Sequence, residues 1–280
     1  MYLPHDLPRA NVLITVKAYP KPSGKYEELV CTAGFLDGEK WIRIYPVPYR
    51  FLTDNQRYPK YSWVEVDLVR NTSDFRPESY RPTLGVDVVF TVKDTLGTKD
   101  DWAARRSIVR NEVFTSMNEL IQLAKGSSKK SLGTLQPKEI VGFRIEGSDR
   151  EWKEKWTDQV LQSSFFDIDE HGHVDKRQLI KKVPYDYFYE FISEGDLSPR
   201  KLKIEDWEIG ALYWNCLRIT KGDETAANDL VKQKYFDEFI EKKDLYFFLG
   251  TTKQFHNVGV NPFMIIGVFY PPKTLQKLLF

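Results

Sequence analysis

Two cysteines in 280 residues, Cys31 and Cys216, are too few and too far apart for a disulfide framework, and the clustered pairs of a cysteine zinc site are missing. An excess of one charge is missing too. The 41 basic residues stand against 40 acidic ones, a net charge of +1, so any attraction to nucleic acid must come from a local patch. No apolar run approaches the roughly 20 residues of a membrane span. The segment Met1-Tyr2-Leu3-Pro4-His5-Asp6 has neither the charged nor the apolar region of a signal peptide. These absences predict a cytoplasmic protein without membrane contacts. What the chain does have is rings: aromatic residues make up 14% and apolar residues 41%, enough for one large or two ordinary domains. Rings in that number fill cores or serve as stacking platforms for bases.

Alternation predicts five short strands in the first hundred residues. Residues 12–19 place Val12, Ile14, Val16 and Ala18 on one face and Leu13, Thr15 and Lys17 on the other. Runs at 29–36 and 40–47 flank Asp37-Gly38-Glu39, and Asp-Gly between β-prone runs predicts a hairpin whose turn needs positive φ. Strands over 63–69 and 86–92 complete a set that suits a small barrel. From Lys99 the period becomes helical. Asp100 or Asp101 is expected to cap a helix over 102–124, carried by Ile108, Val109, Val113, Met117, Leu120, Ile121 and Ala124. Gly126-Ser127-Ser128-Lys129-Lys130-Ser131 reads as a connector. Further strands are expected at 140–145, 185–192, 245–250 and 263–269, and helices at 157–166, 205–218 and 223–243, the last capped by Asp223. The fold class is therefore α+β: an OB-like module over 1–98, a helical connector over 99–130, and an α+β domain over 131–280 with a second small sheet.

The densest polar and aromatic group is Trp41, Arg43, Tyr45, Arg50, Arg76, Glu78, Tyr80 and Arg81. Trp41, Arg43 and Tyr45 share one strand face, and arginines beside rings suit single-strand binding, guanidinium for phosphate and ring for base. The competing expectation is that the rings are core and the arginines pair with Glu65, Asp67 or Glu78. Gly250-Thr251-Thr252-Lys253-Gln254-Phe255-His256-Asn257 joins two apolar strands, and Lys253 and His256 there suit phosphate or base-edge contacts. Asp37 at the hairpin tip, and Asp206 and Glu208 at a helix start, are the carboxylates to weigh for catalysis, although turn chemistry explains the first and capping and the helix dipole the other two without it. Asp167, Asp169, Gly172, Val174 and Asp175 follow part of an EF-hand loop, but the fifth place holds His171, a poor ligand for a hard cation, and the twelfth holds Gln178 where a bidentate Glu belongs. His171 and His173 lack a third ligand for a transition metal. Cys216 sits mid-helix on an apolar face, which makes it a structural thiol rather than a nucleophile partnered by His256. No metal or cofactor is expected.

The order of segments around Cys31-Thr32-Ala33-Gly34, Trp41-Ile42-Arg43-Ile44-Tyr45-Pro46-Val47 and Trp63-Val64-Glu65-Val66 resembles the bacterial proteins called dual OB domain-containing. Later stretches, among them Ser131-Leu132-Gly133-Thr134-Leu135-Gln136-Pro137, Pro184-Tyr185-Asp186-Tyr187-Phe188-Tyr189 and Ile204-Glu205-Asp206-Trp207-Glu208, are similar to a widespread family of uncharacterised bacterial proteins. The resemblance implies OB-like β modules and, by analogy, nucleic-acid binding. That second family carries Cys and His just before the Asp-Trp-Glu segment; residues 193–201 here have neither, so no metal role carries over.

These readings converge on a nucleic-acid-binding protein of bacterial type that holds single-stranded or distorted DNA or RNA against Trp41, Arg43, Tyr45, Arg50, Arg76, Tyr80, Arg81, Lys253 and His256. Two other classes stay open. One is a nuclease or base-excising glycosylase in defence against phage, with Asp37, Asp206 and Glu208 as the carboxylates. The other is a protein-interaction adaptor, which would show a large exposed apolar patch.

Overall fold

Alternating β-branched and aromatic residues build a closed barrel in the first half of the chain. The computed structural model describes residues 3–23, 27–153 and 179–273. The strands are β1 (Asp6–Lys17), β2 (Lys21–Ser23), β3 (Glu27–Leu36), β4 (Lys40–Val47), β5 (Ser62–Arg70), β6 (Ser79–Pro82) and β7 (Thr91–Thr95). Five of them form a ring in the order β1-β3-β4-β6-β5, with β5 returning to β1. All neighbours are antiparallel except β4 and β6, which run parallel. The β3–β4 hairpin turns at Asp37 (φ 50°) and Gly38 (φ 77°), and Glu39 N–H donates to Leu36 O at 3.0 Å. Two successive positive φ values are what a tight hairpin turn requires. Gly34 lets β3 close on β1: a Cβ there would sit 2.0 Å from Leu13 O. Val12, Ile14, Ile42, Ile44, Val64, Tyr58 and Tyr80 fill the barrel.

Two expectations for this half change. The fifth strand of the ring is the four-residue β6, too short to leave an alternation signal. Residues 86–92 do not supply it: Val88 and Phe90 face the core, but the backbone enters the ladder only at β7, which pairs with β5 outside the ring. The single helix expected over 102–124 is two, α1 (Lys99–Val109) and α2 (Met117–Lys125), separated by the two-residue strand β8 (Val113–Phe114). The Asn111 side chain donates to Gly38 O at 3.0 Å, and β8 pairs with a strand of the second half, so tertiary hydrogen bonds outweigh the local period there. Asp100 and Asp101 are not caps. Thr98 holds that position, and Asp100, Asp101 and Trp102 have left-handed φ of 51°, 53° and 65°.

The second half contains β9 (Leu132–Leu135), β10 (Glu139–Gly147), β11 (Tyr185–Ile192), β12 (Arg200–Lys203), α3 (Trp207–Ile219), α4 (Glu224–Lys232), β13 (Tyr246–Thr251) and β14 (Phe263–Phe269). After α4 the helix continues through a wider turn at Gln233–Glu238 and a last turn at Phe239–Lys242. Asp206 caps α3, accepting from Glu208 N–H at 3.2 Å, and Asp223 caps α4, accepting from Ala226 N–H at 3.0 Å. The strands make two open sheets, β14-β13-β9-β8 and β10-β11-β12. A parallel bridge between Ile204 and Ile265 joins them. One core, including Tyr187, Tyr189, Phe191, Tyr213, Phe247 and Ile265, lies beneath both sheets and the helices.

A third core ties the halves together. Along β13 the side chains alternate: Phe247 and Leu249 enter the C-terminal core, while Tyr246 and Phe248 face Phe35, Trp41 and Val16 of the barrel. The outer face of β3 and β4 is therefore covered. Among the described residues no helix is long and apolar enough to cross a membrane. The helix expected over 157–166, the EF-hand-like segment 167–175 and His171 and His173 lie outside the described residues.

Candidate functional site

The covered barrel face borders an opening lined by both halves. Where the C-terminal sheet stops short of the β3–β4 face, a cleft of about 360 Å³ remains between the halves. The barrel contributes Arg43 and Tyr45 from β4, Tyr19 and Lys21 from the chain after β1, and Asp74 and Arg76 from the loop after β5. The C-terminal half contributes Thr251, Thr252, Lys253 and, from β14, Met264 and Ile266. Val16, Leu29, Met264 and Ile266 give it an apolar floor, and charged side chains stand around the floor.

The charges follow a clear arithmetic. Four cations, Lys21, Arg43, Arg76 and Lys253, line the cleft against two carboxylates, Asp74 and Glu205. Both carboxylates are already matched. Arg76 Nε and Nη2 donate to Asp74 at 2.9 and 2.5 Å, and Ser79 Oγ donates to it at 2.9 Å. Burial would raise the Asp74 carboxyl, but the hydrogen bonds from Arg76 and Ser79 outweigh it and hold the group at about 2. Glu205 pairs with Lys21 at 3.0 Å and Lys203 at 2.7 Å. Arg43 is different. It is only 4% exposed, and among the described residues its hydrogen-bond partners are all neutral: Ser79 Oγ (3.1 Å), Ser131 Oγ (2.9 Å), Ser131 O (3.3 Å) and Thr251 O (3.4 Å). Burial, with Arg76 adding to it, pulls its pKa below the ordinary arginine value. A guanidinium stays charged even so. Glu78 and Asp74 offset part of that burial from beyond the Ser131 and Ser79 hydroxyls, but neither carboxylate bonds to the guanidinium directly, and Arg43 borders an open cleft.

The sequence-based candidates divide accordingly. Arg43, Tyr45, Arg76, Tyr80 and Lys253 come together on the cleft. Tyr45 is 41% exposed; Tyr80 is fully buried and its hydroxyl donates to Pro4 O. Trp41 is not a stacking platform here. It is 4% exposed and packs between Phe35 and Phe248, with ring centroids at 4.2 and 5.2 Å. The face that a single domain would have offered to solvent is taken by the other half of the chain. His256 is fully buried: Nε2–H donates to Ala124 O at 3.0 Å, since a carbonyl can only accept, which leaves Nδ1 to accept from Thr251 Oγ1 at 2.8 Å. Burial lowers its pKa. Arg50 pairs with Glu28 at 2.6 Å away from the cleft, and Arg81 is exposed on β6 without lining it.

The carboxylates considered for catalysis do not converge on an open position. Asp37 is an exposed turn residue. Asp206 and Glu208 converge on a lysine: Lys60 Nζ lies 2.8 Å from Asp206 and 3.0 Å from Glu208. Burial pushes Asp206 up to about 6 against the pull of Lys60. Lys60, itself penalised by burial, is held above its ordinary value by Asp206 and Glu208. The cluster is an ion-pair clamp between the halves, beside the bridge of Ala18 with Asp206. Among the described residues no three His, Cys, Asp or Glu side chains gather as a metal site. Cys216 is buried in the C-terminal core, where burial pushes its thiol up.

Reading residues singly missed the partners that build the cleft. Ser131 and Thr251 receive Arg43, and Tyr19 and Lys21 form its far wall. Thr251 lies in a loop-strand junction whose composition did point to contacts; nothing local marks Ser131, whose role depends on a strand 88 positions away.

Residues 113–280 match the family described as a domain of unknown function, DUF8757. The chain belongs to that family. Residues 8–111 match a second one, a domain of unknown function described as DUF8758, so the barrel with α1 and the C-terminal half are separate family units. No curated protein matches the sequence.

Proposed function

We propose that this chain is a cytoplasmic nucleic-acid-binding protein that holds single-stranded or distorted DNA or RNA along the cleft between its halves. The observation that carries the reading is Arg43, a buried guanidinium at the edge of an open cleft whose direct hydrogen-bond partners are neutral, with Glu78 and Asp74 reaching it only at a remove, so that a phosphate would supply a direct counter-charge.

Topology supports it. A ring of five strands in which the third and fifth run parallel is the order of an OB-fold. Such barrels contact oligonucleotides with the face of strands two and three and the loops 1–2 and 4–5. In this chain those parts are β3, β4, the segment after β1 and the loop 71–78, and the cleft opens on all of them. The second half repeats the order. Consecutive β9 and β10 take the place of a bent first strand, β11 and β12 follow, α3 and α4 intervene, and β13 and β14 close it with β14 parallel to the chain at Ile204. We read it as a second OB-like unit.

The test is fluorescence anisotropy with labelled single-stranded DNA and RNA over a salt series. Affinity is expected to fall with salt, Lys253→Ala to reduce the slope by about one, and Tyr45→Ala to weaken binding. Binding to no oligonucleotide, or binding indifferent to salt, refutes the reading. Cleavage or base loss in the same samples would move the protein to the enzyme class.

A further inference from the structure

Three loops meet at the outer end of the cleft. The loop 71–78 of the barrel, the connector 126–130 and the loop 252–262 between β13 and β14 are joined by side chains. Lys253 Nζ donates to Ser73 O at 2.5 Å, the Phe75 ring meets His256 at 5.2 Å, and Lys129 Nζ stands 5.3 Å from the Phe75 ring centroid. This rim keeps rings in solvent: Phe75 is 38% exposed and Phe255 51%. Its charge is mainly positive, with Lys130 of the connector matched by Glu112 at 2.8 Å. The loop 252–262 and the connector contain no acidic residue. The two carboxylates of 71–78, Asp74 and Glu78, are buried and hydrogen-bonded, to Arg76 and to Ser131. Lys129 and Lys253 are exposed, and Lys253 also lines the cleft.

Exposed rings interleaved with unopposed lysines, continuous with a cationic cleft, match the chemistry of an unpaired nucleic-acid strand. A protein partner would meet the same rings, but the acid-free lysines favour a polyanion. Resting on the nucleic-acid reading above, we infer that this rim is the base-stacking surface of the protein. Phe255 and Phe75 are the platforms for bases leaving the cleft, and Lys129 and Lys253 hold the flanking phosphates.

The experiment uses the full chain and a labelled single strand of about 12 nucleotides, within the usual site size for such barrels. Phe255→Ala is expected to weaken binding about tenfold while leaving the salt slope unchanged, because stacking releases no counterions. Phe255→Trp should keep the affinity, with its fluorescence quenched by the strand. Lys129→Glu should lower the salt slope by about one or more. Both positions are exposed, so the melting temperatures should match the parent. If Tyr45→Ala weakens binding while Phe255→Ala and Lys129→Glu bind like the parent, the rim assignment fails and the cleft reading stands. If the parent binds no oligonucleotide, both fall. Loss of binding to a protein partner on Phe255→Ala, with oligonucleotide affinity intact, also overturns the assignment.

Discussion

Replacing Trp41 by alanine separates a packing residue from a ligand-binding one. The indole lies 4% exposed between Phe35 and Phe248, at centroid distances of 4.2 and 5.2 Å, within the core that joins the two halves. Truncating a buried tryptophan removes its transfer free energy and leaves a cavity that rigid sheets on both sides cannot fill, a loss of about 3–5 kcal/mol. At roughly 2–4 °C per kcal/mol for chains near this size, the melting temperature should fall by about 6–20 °C. Among the described residues Trp41 Nε1 has no hydrogen-bond partner, so Trp41→Phe should cost only a fraction of that. Differential scanning calorimetry of the two variants, beside oligonucleotide binding at a temperature where both are folded, gives the answer. A Trp41→Ala protein that melts with the parent but binds nucleic acid about tenfold less tightly would mean that the ring faces ligand, and would refute the packing assigned here.

Lys60→Met strands the Asp206 carboxylate, buried without the cation now 2.8 Å away, and should cost about 3–5 kcal/mol in urea denaturation. Adding Asp206→Asn, which keeps the α3 cap, should recover part of the loss; strict additivity would show that the two groups do not interact. Burial, reinforced by Lys60, lowers Lys17 to about 8, while the unfolded chain keeps the ordinary value of 10.5. Between those values the unfolded state holds a proton that the native state lacks, so stability should rise with pH from about 8 towards 10. Lys17→Met should flatten that rise, as read from denaturation midpoints across the window; an unchanged pH profile would contradict it. Asp223→Ala removes the acceptor for Ala226 N–H at 3.0 Å and should destabilise α4 by about 1 kcal/mol, whereas Asp223→Asn should not.

Local chemistry made much of the fold readable. Asp-Gly needs positive φ and forms its hairpin wherever the flanking runs pair, and β4 ends at Val47 as its residues suggest. Asp206 and Asp223 precede helical periods and cap them. Short elements escaped because two to four residues carry no period: β6, β8 and β12 exist only through their neighbours. The helix expected over 102–124 failed for the same reason, since Val113 fits both a helical spacing and a ladder.

The candidate site was legible in its residue types and illegible in its exposure. Arg43, Tyr45, Arg76 and Lys253 do share one cleft. Trp41 and His256 share its neighbourhood but are buried, because alternation tells which strand positions face the same way and not whether that face is covered.

By itself, the sequence determined local geometry: the hairpin turn, the caps, the strand faces and the α+β class, all set by steric and hydrogen-bonding preferences within a few residues. The tertiary structure alone decided that the outer face of β4 is an interface between two halves. That outcome rests on Phe248 and Tyr246 of β13 finding Trp41 and Phe35 more than 200 positions away, an encounter driven by burying apolar area on both sheets. The same packing left Arg43 buried beside an opening, with no carboxylate among its described hydrogen-bond partners.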